Sequence, residues 1–272
     1  MIELPESNTL AIQLRSTLSG KSIKNVLTNK SPHKFAWFQG DPEQYNRILH
    51  NKVITGTAAY GGLVEIQAEN MRLVFGDGTN IRYLAPGNKL PDKHQLLVEF
   101  DDSSSLVCSV QMYGALWAFD ENYNEGYYHS SKSKITPSSP EFHYDYFKGL
   151  LQGCKQNLSV KAFLATEQRI PGLGNGVLQD ILFNAGLHPK RKLDTLSETE
   201  KQKLYDSVIH TLAEMTEKGG RDTEKDIFGQ PGGYRTRLSA KTKDKPCPVC
   251  GDTIVREAYL GGNVYYCPAC QR

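Results

Sequence analysis

Two Cys-x-x-Cys pairs lie within the last 26 residues and restrict how this part of the chain can fold. The pairs are Cys247-Pro-Val-Cys250 and Cys267-Pro-Ala-Cys270, with 16 residues between them. This spacing supplies four thiolates to one tetrahedral zinc ion. Because the protein fills all four ligand positions, none is left for water or substrate, and we expect one structural Zn²⁺. Two disulfides are the alternative, and a reducing compartment disfavours them.

The composition indicates neither a secreted protein nor a membrane protein. The 272 residues are 39% hydrophobic and 23% charged. The N-terminus lacks the basic-then-apolar pattern of a signal peptide, and no stretch approaches the roughly 18 apolar residues of a membrane span. We therefore expect a cytoplasmic protein with one large domain or two modest ones.

Positive charge is concentrated near the cysteines. Residues 230–246 contain five basic side chains and a single acidic one, Asp244. If these side chains share one face, they favour a polyanion as partner. A solvated charged loop is the alternative interpretation.

The first half predicts a helix followed by strands. An amphipathic pattern begins at Leu4-Pro5-Glu6 and ends at Ser19-Gly20. Short apolar runs follow between residues 22 and 119, separated by turn-forming sequences such as Gly76-Asp77-Gly78. This pattern favours a β-sandwich or barrel over alternating β and α units. Residues 120–140 are polar and aromatic and predict a linker.

The second half predicts helices joined by a glycine-rich turn. Pro171-Gly-Leu-Gly-Asn-Gly176 precedes a helical pattern that stops at Gly186. Crowded backbone N–H groups at a helix N-terminus suit a phosphate, although a turn without any ligand is the alternative. A further helix from about Ser197 to Lys218 leads into a loop that opens with Gly219-Gly220.

Three segments of the chain resemble the formamidopyrimidine-DNA glycosylase and endonuclease VIII family. The stretch from Lys161 to Pro189 resembles its helix–two-turn–helix segment, the terminal Cys-Pro-Ala-Cys-Gln its zinc finger, and Glu3-Leu4-Pro5-Glu6 its N-terminal signature. The resemblance follows the family's order and covers essentially the whole chain. It implies an α+β fold with an N-terminal helix and β-sandwich domain (1–130), a helix–two-turn–helix domain (141–235) and a zinc-finger β-hairpin (243–272).

The resemblance also implies a function. It predicts a base-excision repair DNA glycosylase with AP lyase activity, a monomer that binds damaged double-stranded DNA in the bacterial nucleoid. In the family an N-terminal amine attacks the sugar C1′ of a flipped nucleotide and forms a Schiff base. The implied catalytic residues are Met1 or Ile2, which carries the amine, and Glu3, which moves protons. The implied DNA-binding residues are Lys161, Gly174, Asn175, Gly176, Gly262 and Asn263.

Several positions depart from the family's pattern. Ile2 replaces the nucleophilic proline, and a bulky second residue is expected to leave Met1 in place, which moves the free amine out by one residue. Gly262 replaces a phosphate-binding arginine, and Tyr60 stands near the position of a strand lysine. The other departures are Asp77, Gln111 or Met112, Tyr113 and Val177.

Three functions remain open on this basis. The first is a lyase-competent glycosylase with the amine of Met1 or Ile2 as nucleophile. The second is a monofunctional glycosylase in which Glu3 activates water. The third is a non-catalytic protein that binds damaged or abasic DNA. The loop from Gly219 to Arg235 resembles the family's flexible loop over the flipped base, and a disordered connector is the alternative.

Overall fold

The first element is helix α1 (Leu4–Leu18), and its ends agree with the predicted ones. Glu3 and Glu6 form a reciprocal capping box, in which each side chain accepts a hydrogen bond from the other residue's backbone N–H. Leu10, Leu14 and Leu18 form its buried face. The helix therefore fixes the position of the residues just before it.

Seven strands follow and form one hydrogen-bonded sheet. The strands are β1 (Ile23–Thr28), β2 (Ala36–Phe38), β3 (Ile54–Tyr60), β4 (Leu63–Ala68), β5 (Met71–Leu84), β6 (Leu96–Phe100) and β7 (Ser105–Asp120). Their order in the sheet is β1-β6-β7-β5-β4-β3, and β2 pairs with β7 as the parallel strand. The short helix α2 (Tyr45–Leu49) lies between β2 and β3 in the chain.

The two long strands β5 and β7 join two halves of this sheet. The register between them shifts between Asp77 and Thr79. The turn predicted at Gly76-Asp77-Gly78 is wrong, because β5 continues through these residues. Asp77 has a φ of 54° and forms a bulge inside one strand, since an extra residue can be accommodated there without reversing the chain. Both halves and α1 bury side chains in one core, among them Phe75, Ile81 and Val98. The predicted α+β class, with an N-terminal helix followed by a β domain, is confirmed, and the strands of the predicted β-sandwich are hydrogen-bonded into one continuous sheet.

The structure, a computed structural model, describes residues 1–124, 126–154 and 157–272. Within these residues the packing divides the chain into two units. The first unit comprises Met1–Lys132 and Gly219–Gly233, and the second comprises Ser133–Lys218 and Tyr234–Arg272. No helix in the described part of the chain is both long enough and apolar enough to span a bilayer.

The predicted linker at residues 120–140 contains a helix instead. Helix α3 (Gly126–Ser133) begins after residue 125, which lies outside the described residues. Tyr128 is buried and packs edge-on against Phe119, with 4.9 Å between the ring centroids. The polar composition misled the prediction because the aromatic side chains pack on the sheet.

Residues 219–233 belong to the first unit and contact α1 and β5. Asp226 accepts a hydrogen bond from the Gln13 side chain at 2.9 Å, and the buried Ile227 belongs to the same core as α1. The backbone N–H of Tyr83 donates to the Ile227 carbonyl at 2.8 Å. We call residues 219–233 the return segment.

The second unit is helical and ends in a hairpin. Its helices are α4 (Tyr144–Gln152), α5 (Val160–Ala165), α6 (Val177–Ala185) and α7 (Glu198–Glu217), and its strands are β8 (Val255–Tyr259) and β9 (Gly262–Tyr266). As predicted, α6 ends at Gly186, whose φ is 71°, and Ser197 caps α7. The buried Asp180 of α6 accepts hydrogen bonds from the N–H groups of Arg237 and Leu238, both at 2.8 Å. This carboxyl therefore holds the chain that leads into the hairpin.

Candidate functional site

The four paired cysteines meet at the base of the β8–β9 hairpin. Their sulfur atoms all lie within 4.8 Å of one another. The closest approaches are 3.4 Å between Cys250 and Cys267 and 3.8 Å between Cys247 and Cys270. Four converging thiolates are the donor set that tetrahedral zinc prefers, so the residues fit one structural Zn²⁺. The predicted cofactor is confirmed.

The predicted phosphate turn contacts the tip of the hairpin. The Asn175 side-chain amide donates to the Asn263 carbonyl at 2.9 Å, and Gln179 donates to the same carbonyl at 3.1 Å. A Cβ on Gly262 would lie 3.4 Å from the Asn175 side chain. The Asn175 Oδ1 atom is buried and has no hydrogen-bond partner among the described residues. The turn with Gly174 and Gly176 and the hairpin tip therefore form one polar surface, which we call the turn–hairpin site.

Lys161 lies beside this site and is almost fully buried, with 3% of its surface exposed. Its ammonium donates to the Tyr259 carbonyl and lies 5.6 Å from the centre of the Tyr259 ring. Burial lowers the pKa of Lys161. The Lys190 ammonium lies 5.3 Å from the centre of the same ring. Two cations thus converge on one hairpin residue.

Arg256 is a candidate that motif spacing missed. Its Nε donates to the Asn263 Oδ1 atom at 2.9 Å, and the side chain is exposed on β8. This position brings a guanidinium to the hairpin tip, where Gly262 offers no charge. Only the β8–β9 register, which pairs Arg256 with Tyr265, could have revealed it.

The first residues of the chain precede the N-terminus of α1 and lie beside a polar cavity. The Met1 amine forms an ion pair with Glu224 Oε2 at 2.5 Å. Ile2 is buried, and its N–H donates to the Asp77 carbonyl at 2.8 Å. The cavity has a volume of about 270 Å³. Its polar lining comes from Met1, Glu6, Thr79, Asn80, Arg82, Gln111, Thr223, Glu224 and Lys225.

Glu3 is buried next to this cavity and is held by its neighbours. Its side chain caps α1, and one carboxylate oxygen lies 3.6 Å from Nη1 of Arg221. Arg221 also binds Glu6, with Nη2 2.8 Å from Oε2. The sequence offered no signal for Arg221, since it lies 215 residues from Glu6.

Two departures from the family's pattern also lie near the first residues. Burial raises the pKa of Asp77. Tyr113 stacks on Trp37, with 5.4 Å between the ring centroids. Burial raises the pKa of Tyr113, and the negative charges of Asp77 and Glu3 raise it further. The charges of Asp77 and Glu3 thus act on the Tyr113 hydroxyl.

A lysine from α3 lies over the ring of Tyr60, which stands near the position of the family's strand lysine. The Lys132 ammonium lies 5.2 Å from the centre of the Tyr60 ring and 5.4 Å from that of Tyr128. It also donates to the Tyr128 hydroxyl at 3.3 Å. Tyr60 ends β3, and the next turn accepts a hydrogen bond from Ser7 of α1 at the Gly61 carbonyl. A cation therefore lies at this end of the sheet although Tyr60 is neutral.

Two segments of the chain match models of known protein families. The model of the formamidopyrimidine-DNA glycosylase H2TH domain matches residues 135–226, and the model of the zinc finger found in FPG and IleRS matches residues 244–272. The chain therefore resembles formamidopyrimidine-DNA glycosylases in both of these segments. The recognition made from the sequence is confirmed.

Relatives within this family match over the full length. The formamidopyrimidine-DNA glycosylase of Lactobacillus delbrueckii is 27% identical, and that of Bacillus licheniformis 28%, each with 100% of both chains covered. The solved complex of Lactococcus lactis Fpg with abasic-site DNA is similar, with a TM-score of 0.85, 22% identity and 99% of both chains covered. The crystal structure of the MutM (Fpg) protein from Thermus thermophilus is also similar, with a TM-score of 0.82, 23% identity, and 99% of this chain and 98% of that chain covered.

Proposed function

We propose that this protein is a base-excision repair DNA glycosylase with AP lyase activity that uses the α-amine of its first residue and acts as a monomer on damaged double-stranded DNA. One observation carries the proposal. The Met1 amine lies at a polar cavity of about 270 Å³, 2.5 Å from a carboxylate that can accept its proton. A flipped base needs such a pocket, and a nucleophilic amine needs a nearby base.

The chemistry follows from this arrangement. Glu224 takes a proton from the Met1 ammonium, and the neutral amine attacks C1′ of the damaged nucleotide. The glycosidic bond breaks as the N–C1′ bond forms, and the base leaves with the bonding electrons. Ring opening gives an imine, from which β-elimination cuts the strand. Glu3, beside the first residues, is the group proposed to move protons during ring opening.

The geometry of Glu3 favours the amine over a water nucleophile. A general base that activates water must present a free oxygen to it. Glu3 is only 3% exposed, caps α1 and faces the Arg221 guanidinium at 3.6 Å. This environment suits a fixed anion near the amine better than a water-activating base.

Cations near the altered positions support DNA binding. Lys132 lies over Tyr60, and Arg256 lies beside Asn263. We propose that each contacts one backbone phosphate, and that Lys161, Asn175 and the adjacent glycines contact phosphates at the turn–hairpin site.

The test is borohydride trapping with an abasic duplex. Reduction of the imine links the amine to DNA, and peptide mapping by mass spectrometry identifies the linked residue and reports whether Met1 is retained. We expect the adduct on the N-terminal peptide. The control is the same protein after selective transamination of its α-amine to a ketone, which should bind the duplex but give no adduct. An adduct on an internal lysine would refute the amine assignment, and tight binding without any adduct or base release would favour a non-catalytic binder.

A further inference from the structure

Arg221 is the most constrained charged side chain near the first residues. It is 3% exposed and makes a two-pronged contact with Glu6, from Nε at 2.9 Å and from Nη2 at 2.8 Å. Its backbone N–H donates to the same carboxylate at 3.1 Å. Nη1 lies 3.6 Å from Glu3, and Nη2 lies 3.4 Å from the Met1 carbonyl. One guanidinium thus connects the cap of α1 with the residue that carries the amine.

Three carboxylates surround the single positive charge of Arg221. Glu3 and Glu6 approach from α1, and Glu224 of the return segment lies 3.9 Å from Nη2. The Met1 amine faces the other oxygen of Glu224. Burial alone lowers the pKa of Arg221, but the negative charges of Glu3 and Glu6 raise it well above its ordinary value. The guanidinium is therefore permanently charged and lies among three carboxylates.

Glycines precede Arg221 in the return segment and also pack against it from residue 232. Gly219 and Gly220 have φ values of 72° and 93°, which a residue with a side chain rarely adopts. A Cβ on Gly220 would lie 3.4 Å from Glu6 Oε1, and a Cβ on Gly232 would lie 2.2 Å from the Gly220 carbonyl oxygen. The positive φ values at residues 219 and 220 therefore favour glycine immediately before Arg221.

We propose that Arg221 is a positioning residue for the reaction: it holds Glu3 as a carboxylate anion and, through the Met1 carbonyl and Glu224, fixes where the amine points. The inference rests on the proposed function, because it assigns Glu3 and the amine their roles. Glu6 contacts Glu3 through the capping box, and the negative charges of Glu3 and Asp77 act on Tyr113 of β7, so Glu6, Asp77 and Tyr113 would each add negative charge when ionised. Arg221 contacts the Glu3 carboxylate directly and opposes its uptake of a proton, and the Met1 ammonium adds a second positive charge at the adjacent Glu224.

The experiment compares R221M, R221Q and R221K with R72M. Arg72 is a suitable control because it also binds carboxylates in the first unit, with Nη2 2.9 Å from Glu121, but it does not contact the first residues. The measured quantity is the ratio of the trapping rate at pH 5.5 to that at pH 7.5, with abasic duplex and saturating protein. An opposite charge lowers a carboxyl pKa by about 1–3 units, so its loss should let the buried Glu3 take up a proton at a higher pH and should reduce this ratio in R221M and R221Q. R221K should restore it, and R72M should leave it unchanged.

A second measurement does not depend on activity. Titration of ¹³C-labelled glutamate carboxyls, assigned with E3Q, should show Glu3 taking up its proton at a higher pH in R221Q than in the unmodified protein or R72M. An unchanged Glu3 titration together with an unchanged rate ratio would overturn the proposal and leave Arg221 a purely structural role. If the unmodified protein gives no adduct at all, the proposed function fails, while the titration still decides whether Arg221 controls Glu3. R221K, which keeps the charge, provides the comparison if the neutral variants do not fold.

Discussion

Removal of the Lys132 charge should weaken DNA binding in a way that identifies a phosphate contact. The ammonium is fixed by two aromatic rings, at 5.2 and 5.4 Å from their centres, and the side chain remains exposed. A fixed, exposed cation can meet a phosphate with little loss of side-chain freedom. Each phosphate contact contributes about 0.9 to the slope of log K against log salt concentration. We therefore expect K132M to reduce the slope by about 0.9, and K132M/R256M by about 1.8.

The assay is fluorescence anisotropy with a duplex that carries a stable abasic-site analogue, between about 50 and 200 mM KCl. K52M is the matched control, because Lys52 is a surface lysine of the same unit that pairs with Glu69 at 2.9 Å. It removes the same charge, and its slope should equal that of the unmodified protein. The rival explanation is that Lys132 only compensates for the buried Glu65, which accepts a hydrogen bond from Tyr128 at 2.5 Å. Equal slopes for K132M and K52M, with a lower stability of K132M, would refute the phosphate contact.

Further predictions concern the second unit. Chelation should release one zinc ion per chain, measured with a colorimetric metal indicator, and abolish DNA binding, because the four cysteines clamp the hairpin. D180A should lower the free energy of unfolding in urea by about 2–4 kcal/mol, since two N–H groups lose their acceptor. Burial raises the pKa of the Asp180 carboxyl, so this group keeps its proton to a higher pH in the folded state than in the unfolded state. The free energy of unfolding of the unmodified protein, relative to that of D180N, should therefore fall as pH rises above about 4. G262R should steepen the salt slope by about 0.9 if Asn175 moves by a few tenths of an ångström to admit the new side chain, and an unchanged slope would contradict a phosphate at the hairpin tip.

The elements that the sequence predicts well are the ones with local signals. Ser197 at the start of α7 and Gly186 at the end of α6 act through their own backbone geometry, and the cysteine spacing determines its own metal site. The bulge at Asp77 escapes prediction because glycines flank both turns and bulges. Only pairing with β7 decides between them, and that pairing is a long-range contact.

The parts of the site that were missed come from residues far apart in the chain. Arg221 meets Glu6 across 215 residues, and Met1 meets Glu224 across 223. Neither pair belongs to a motif with fixed spacing, and a charged residue in a glycine-rich loop is most simply interpreted as solvated. Lys132 escaped notice for a related reason, because the segment around it is too polar to predict a helix that packs on the sheet.

The burial of Ile2 bears on the proposed use of the Met1 amine in place of the family's proline. Its side chain is 6% exposed within the core, and its N–H donates to the Asp77 carbonyl at 2.8 Å. Residue 2 is therefore anchored, and Met1 extends from it by one residue, about 3.8 Å, to reach Glu224. Removal of Met1 would leave a new ammonium at the Asp77 carbonyl and would separate it from Glu224. We therefore expect aminopeptidase-trimmed protein to trap abasic DNA more slowly than the Met1 form, and E224Q to slow the Met1 form while changing the trimmed form much less. If trimming accelerates the reaction, the Ile2 amine is the better nucleophile and Glu224 does not serve as its base.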